Sequence, residues 1–315
     1  MSHTIGVIGT FIRDTIVTLD GRRVESIGGL YHTLAYLASL VPQETVVKPL
    51  CHIGADFYER VAGTLAQFGT HVRFDLMQIA ARPNTAVTLI YRSAESRDEI
   101  TTEPMPAIAA NEIEAVADVD AILVNLISGP DVELEALQRL KARAKTPLLY
   151  LDLHSLTLGI DAQGKRYYRA VPEWQSWMRA VDILQVNELE AATLADFRGV
   201  PSDGDLIKFG EKIVAEYVRA CHITLGSRGS LLFHRTSNAV QHEHFMPKKD
   251  LHTVDIIGCG DAFGAAFMGH FLNSADYPAA TRFANDVAGL NCTFMGSLTP
   301  EKFQTHVKPY LGVLH

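Results

Sequence analysis

No apolar run in this chain approaches the roughly 20 residues that cross a bilayer, so nothing in it calls for a membrane span. Its four cysteines, Cys51, Cys221, Cys259 and Cys292, are isolated and form no CxxC pair. That excludes a cysteine-built zinc site and a disulfide framework, and it fits reduced thiols in a cytoplasmic protein. A basic stripe is also missing. With 28 Lys and Arg against 36 Asp and Glu the formal charge is −8, and short basic pairs such as Arg22-Arg23 and Lys248-Lys249 form no stripe. Nucleic acid is therefore not an expected partner. The opening MSHTIGVIGTF lacks a basic stretch ahead of an apolar core, so no secretory leader is expected. Internal repeats, low-complexity tracts and Pro/Ser-rich linkers are absent, which argues for one domain over residues 1–315.

What is present is an ordinary globular composition, 47% hydrophobic and 20% charged. From residue 111 onward, short apolar runs alternate with helical periodicity. Strands are expected at 121–125, 148–153, 183–186, 222–225 and 231–234, with helices at 131–144, 188–195 and 206–220 between them. Continuous apolar strands alternating with helices indicate a mostly parallel sheet covered on both faces, an α/β three-layer sandwich. The first part of the chain departs from that rhythm. Residues 15–19 and 24–27 flank the hairpin signal Asp20-Gly21, and 86–91 alternates as an isolated strand. These segments read as a small β lid drawn from about 11–27 and 84–104.

The segment richest in chemistry is DIIGCGDAF at residues 255–263, followed by a helix apolar on nearly every face. Gly258, Cys259 and Gly260 place small residues where the chain enters that helix. Its first N–H groups and dipole make an anion site, with Asp261 at the mouth. A carboxylate there repels bound phosphate but can accept the proton of an attacking hydroxyl. Two other readings compete. Asp261 could simply cap the helix, or Gly258, Gly260 and Gly264 could be a near miss to a dinucleotide fingerprint. Only about 50 residues follow the turn, too few for a dinucleotide half-domain.

With these residues in view, the chain resembles the ribokinase-like (PfkB-type) carbohydrate kinases, whose C-terminal signature is DTxGAGDxF. Four weaker patterns follow in the same order: Gly9 to Asp14 for GxxxxD, residues 28–35 for GGxxxNxA, Asn187 to Glu190 for NxxE, and Thr224 to Gly229 for TLGxxG. The resemblance implies an ATP-dependent kinase acting on a sugar or nucleoside, with Mg²⁺. Asp261 would be the base, and Gly258, Cys259 and Gly260 the anion hole. Asp14, Gly28, Gly29, Thr33 and Asp255 would serve the acceptor. Asn187, Thr224, Gly226, Gly229 and Asn285 would serve the nucleotide, and Asn187 with Glu190 would hold the metal through water. An exposed lid strand could pair across a two-fold axis into a homodimer.

Three positions depart from the pattern. Thr33 replaces the motif's Asn, Ile256 replaces its Thr, and Cys259 replaces its middle Ala. Ile256 offers no oxygen near the family's monovalent-cation loop, so dependence on such a cation stays open. His154, after the strand ending at Leu153, and Tyr31, after the Gly-Gly pair, are further candidates for acceptor contact. His242-Glu243-His244 reads as the polar face of a surface strand rather than a metal set. Two rival functions accompany the kinase: an NAD-dependent dehydrogenase using the glycine turn, and a non-catalytic nucleotide or sugar sensor of the same fold.

Overall fold

The computed structural model describes residues 2–92, 97–197, 199–237, 239–248 and 251–311. Lys249 of the basic pair and residues 93–96 of the expected lid lie outside them. In chain order the first elements are β1 (Thr4–Ile8), β2 (Phe11–Val17), β3 (Arg23–Gly29), α1 (Leu30–Leu40), β4 (Val46–Gly54) and α2 (Tyr58–Leu65). Next come β5 (Met77–Ala80), β6 (Ala86–Tyr91), β7 (Arg97–Thr101), β8 (Ala121–Asn125), α3 (Leu134–Lys141) and β9 (Leu148–Asp152). A short hairpin, β10 (Leu158–Ile160) and β11 (Arg166–Tyr168), precedes α4 (Trp174–Arg179), β12 (Ile183–Asn187), α5 (Glu188–Leu194) and α6 (Asp203–Glu216). The last long elements are β13 (Ala220–Thr224), β14 (Ser230–Arg235), β15 (Val240–Phe245), α7 (Cys259–Ser274) and α8 (Tyr277–Asn291).

Nine strands form one sheet in the order β15-β14-β13-β12-β9-β8-β1-β4-β5, parallel except where β14 and β15 turn back. Alternation within single strands builds two cores. Ala121 and Leu123 of β8 face α1, α7 and α8, while Ile122 and Val124 face α3, α5 and α6. A strand covered on both faces must be apolar at every position, which is why these runs are continuous.

The lid is a separate four-stranded sheet, β3-β2-β6-β7. β2 and β3 form the expected hairpin, and β6 lies parallel to β2 with Asp14 beside Val87. Ile12, Val87 and Leu89 of the lid pack on Ile127, from the loop after β8. The lid is thus anchored to the central sheet through an apolar patch.

Several boundaries differ from expectation. The helix expected at 206–220 runs from Asp203 to Glu216 instead, because Ser202 caps it, accepting from the Asp205 N–H while Asp205 accepts from Ser202. At the other end, Ala220 already pairs with Ile183 in the sheet. The helix expected from 131 starts at Leu134, since the Asp131 carboxylate holds the Ser128 and Gly129 N–H groups in a turn. The hairpin β10–β11 was not expected at all; three-residue strands are too short to show a period. No helix of the described residues is long and apolar enough to cross a membrane.

Candidate active site

Parallel strands end at the same edge, and here that edge carries polar side chains. Asn125 closes β8, Asp152 closes β9, Asn187 closes β12 and Thr224 closes β13. Together with the start of α7 and the inner face of the lid they surround a cleft of about 390 Å³. Asn125 lies just beneath its lining.

The turn into α7 depends on Gly258, whose φ of 78° is left-handed and whose missing Cβ would fall 2.7 Å from His32 Nδ1. Asp261 sits in the first turn of α7, 8% exposed and lining the cleft. Its Oδ1 accepts from Asn125 Nδ2 at 2.6 Å and from Thr33 Oγ1 at 3.1 Å. Asn125 Nδ2 also lies 3.2 Å from Thr33 Oγ1. One carboxylate oxygen is thereby clamped. Among the described residues no side chain donates to Oδ2, so that oxygen is left for the cleft. Thr33, wholly buried, reaches the acid and not the cleft space.

A chain of contacts runs from the glycine turn to the acidic edge. Gln185 Nε2 donates to the Gly260 carbonyl at 3.1 Å and to Asp152 Oδ2 at 3.0 Å, and Tyr150 donates to Gln185 Oε1 at 2.5 Å. Burial, then the neighbouring Glu190 and Asp261 carboxylates, push the Asp152 carboxyl well above the usual range. Burial likewise pushes Glu190 up to about 8. Asn187 is the N-cap of α5. Its Oδ1 accepts from the Leu189 and Glu190 N–H groups, and its own N and Nδ2 donate to Glu190 at 2.8 and 2.7 Å. The pair expected to hold a metal is therefore also a capping box. Among the described residues no three His, Cys, Asp or Glu side chains stand close enough to hold an ion by themselves. Mg²⁺ suits such a place only in the company of water and substrate phosphates. Two buried carboxyls whose charges oppose each other are the donor chemistry that a divalent cation relieves.

Across the cleft, Asp14 of β2 is 7% exposed, and its carboxylate occupies the space beside Gly28; a Cβ there would stand 1.7 Å from Asp14 Oδ2. Gly29 and His154 line the same space. So do Glu99 of β7 and Arg166 of β11, neither of which the sequence singled out. The Arg166 side chain is 8% exposed, donates to Ser155 Oγ and to the Ile127 carbonyl, and lies 4.0 Å from Glu99. Asn125, Asp152 and Gln185 were likewise missed. A polar residue ending an apolar parallel strand is the signal that could have found the first two. Arg166 and Glu99, on short strands of a lid and a hairpin, had none.

Other expected residues lie elsewhere. Asp255 stays outside the cleft lining, its carboxylate accepting from the Ile257 and Gly296 N–H groups at 3.0 and 2.9 Å, which shapes the turn. Thr224 lines the cleft, whereas Gly226, Gly229 and Asn285 lie beyond it. Asn285 donates to the Met246 carbonyl and accepts from Ser230. Tyr31 is a core residue bonded to the Leu298 carbonyl, not a cleft residue. His242 pairs with Glu211, and His244 contacts the Arg228 carbonyl, on the outer strand β15.

Comparison with known proteins gives this geometry a relationship. Ribokinase from Arabidopsis thaliana, complexed with ribose and ATP, superposes with a TM-score of 0.74 at 18% identity, covering 99% of each chain. Adenosine kinase from Sinorhizobium meliloti gives 0.75 at 17% identity, covering 98% of this chain and 99% of that one. A pyrophosphate-dependent kinase in the ribokinase family gives 0.77 at 18%, covering 95% and 99%. At such identities the likeness is one of fold, here the ribokinase-like fold. No curated protein sequence matches. Residues 33–303, most of the chain, match the pfkB family carbohydrate kinases, and the protein belongs to that family.

Proposed function

We propose that this carbohydrate-kinase-family protein transfers the γ-phosphate of ATP to a hydroxymethyl group of a sugar or nucleoside, with Asp261 as general base. The carrying observation is the clamp on Asp261: Oδ1 is bonded to Asn125 and Thr33, while Oδ2 is left to the cleft beside the first turn of α7. A base held in one rotamer can take a hydroxyl proton without reorganising. The first N–H groups of α7, at Cys259 and Gly260, offer partial positive charge where the transferred phosphoryl group gathers negative charge.

Asn187 and Glu190, with Asp152 beside them, would hold Mg²⁺ through water. The ion would neutralise phosphate charge. Asp14 offers two acceptor oxygens to hydroxyls on the lid side. Ile12, Val87 and Leu89 close that side with apolar surface and keep water from competing for the phosphoryl group. Thr224 supports a donor lying along the strand ends. The likeness to kinases solved with ribose and ATP, or named for adenosine, supports a sugar or ribosyl acceptor.

The test is an ATP-consumption screen over pentoses, hexoses and nucleosides, run with wild type and Asp261→Asn. One acceptor class should turn over. The variant should lose about 10²–10⁴ in kcat while its ATP affinity stays within a few fold. Near wild-type kcat in Asp261→Asn would overturn the assignment.

A further inference from the structure

We infer that Cys259 and Cys292 form an oxidation site, a dithiol that a peroxide converts to an intramolecular disulfide and that thereby distorts the turn presenting Asp261. The two Sγ atoms lie 3.1 Å apart although the residues are 33 positions apart, one opening α7 and the other following α8. A disulfide needs about 2.05 Å, so closure by about 1 Å joins them. The surroundings already tie the two segments together. Asn291 Nδ2 donates to Cys259 Sγ at 3.3 Å and to the Ile257 carbonyl at 2.8 Å. The Cys292 carbonyl accepts from the Val254 and Asp255 N–H groups at 2.7 and 3.2 Å.

Both residues are partly exposed, and Cys259 lines the cleft, so a small oxidant reaches the pair. The hydrogen bond between them favours a thiolate at Cys292, whose pKa is lowered, while the same contact and burial hold Cys259 protonated. Cys51 and Cys221 are fully buried, and burial pushes their thiols up, which leaves them inert. The described residues bring no third His, Cys, Asp or Glu side chain within reach as a metal ligand, so the pair has redox chemistry available and not metal chemistry.

The reaction balances with hydrogen peroxide as oxidant. The Cys292 sulfur attacks one peroxide oxygen, the O–O bond breaks, and water leaves, giving a sulfenic acid. The Cys259 sulfur then attacks the Cys292 sulfur, the S–O bond breaks, and a second water carries away the Cys259 proton. Two thiols lose two electrons and two protons, and the peroxide becomes two waters. The backbone of Cys259 and Gly260 moves with the new bond, toward α8 and away from its place beside Asp261.

The full-length protein is treated with hydrogen peroxide, and its thiols are titrated in denaturant before and after. Four thiols should fall to two, and unreduced peptide mapping should find Cys259 linked to Cys292. Dithiothreitol should restore all four. Cys292→Ala, with Cys292→Ser as a second variant should alanine loosen α8, should give no linked peptide. Oxidised wild type should lose activity on the order of 10²-fold, the usual cost of a 1 Å misplacement, and regain it on reduction; the Cys292 variants should keep theirs through the treatment. Thiol counts and peptide mapping read the link whether or not the kinase assignment holds. Four persisting thiols, or a link to Cys51, Cys221 or another chain, would overturn the inference. Full activity in the linked protein would overturn the distortion of the turn.

Discussion

Thr33 shows how a single side chain changes its task without leaving its place. The family motif carries Asn at this position; here a hydroxyl, buried in α1, donates to Asp261 Oδ1 alongside Asn125. A shorter side chain gives up reach into the cleft and gains a fixed contact with the acid. Glu190 is the second residue whose environment matters more than its type. It caps α5 and is buried, with its carboxyl pushed up to about 8. A cap alone and a metal-holding carboxylate differ in what Glu190→Gln does. Gln keeps an oxygen for the Asn187 N–H but cannot ionise, whereas Glu190, held protonated by burial in the free protein, can give up its proton when a cation binds nearby. The Mg²⁺ concentration for half-maximal rate should rise several fold, while the acceptor KM moves little. Mg²⁺ titrations of wild type and variant check this, and an unchanged profile would leave Glu190 a cap only.

At the scale of elements, α7 rests on an aromatic nest that holds one uncharged histidine. His222 of β13 is fully buried, its ring 5.3 Å from Phe263 and 4.5 Å from Phe267, and its Nε2 is 3.0 Å from Thr281 Oγ1. Burial lowers its pKa from 6.5 to about 3. Between those values the unfolded chain binds a proton that the folded chain refuses. Its contribution is therefore intact above pH 6.5 and is lost as the pH falls toward 3. The loss is on the order of a few kcal/mol. In His222→Leu the Thr281 hydroxyl still donates to the Tyr277 carbonyl, so no polar group is orphaned. Urea unfolding at pH 7 and pH 4.5 should show a smaller acid loss in His222→Leu than in wild type. Equal losses would mean that other groups set the acid limb.

At the scale of the whole molecule, the site exists because two sheets face each other across the cleft. Asp14 comes from the lid, Asp261 from a helix on the central sheet, and the apolar contact of Ile12, Val87 and Leu89 with Ile127 sets their separation. If Asp14 reads two adjacent hydroxyls across that gap, as proposed, a missing hydroxyl costs the worth of a hydrogen bond to a charged group, about 1.5–3 kcal/mol. Deoxy analogues of the acceptor should lose roughly ten- to a hundred-fold in kcat/KM, and Asp14→Ala should erase the difference. Equal kcat/KM for parent and deoxy acceptors in the wild type would remove Asp14 from the hydroxyl contacts.

The strands at 121–125 and 86–91 were legible from residue order alone, because burial on both faces or on one face dictates whether a run is continuous or alternating. The glycine turn before α7 was legible from its run of small residues, and Gly258 there takes a φ of 78°; that its missing Cβ also makes room for His32 was not. The partners of Asp261 were not. Thr33 lies 228 residues away and Asn125 136, and nothing local in either neighbourhood marks it as a ligand of that acid. Strand order decided those contacts, by setting β8, β9, β12 and β13 side by side with their polar ends at one edge. Order and register follow from how buried faces fit one another across the sheet, a non-local condition that no window of sequence contains. Local burial patterns named the elements; packing between distant segments chose which of their end residues would meet around one carboxylate.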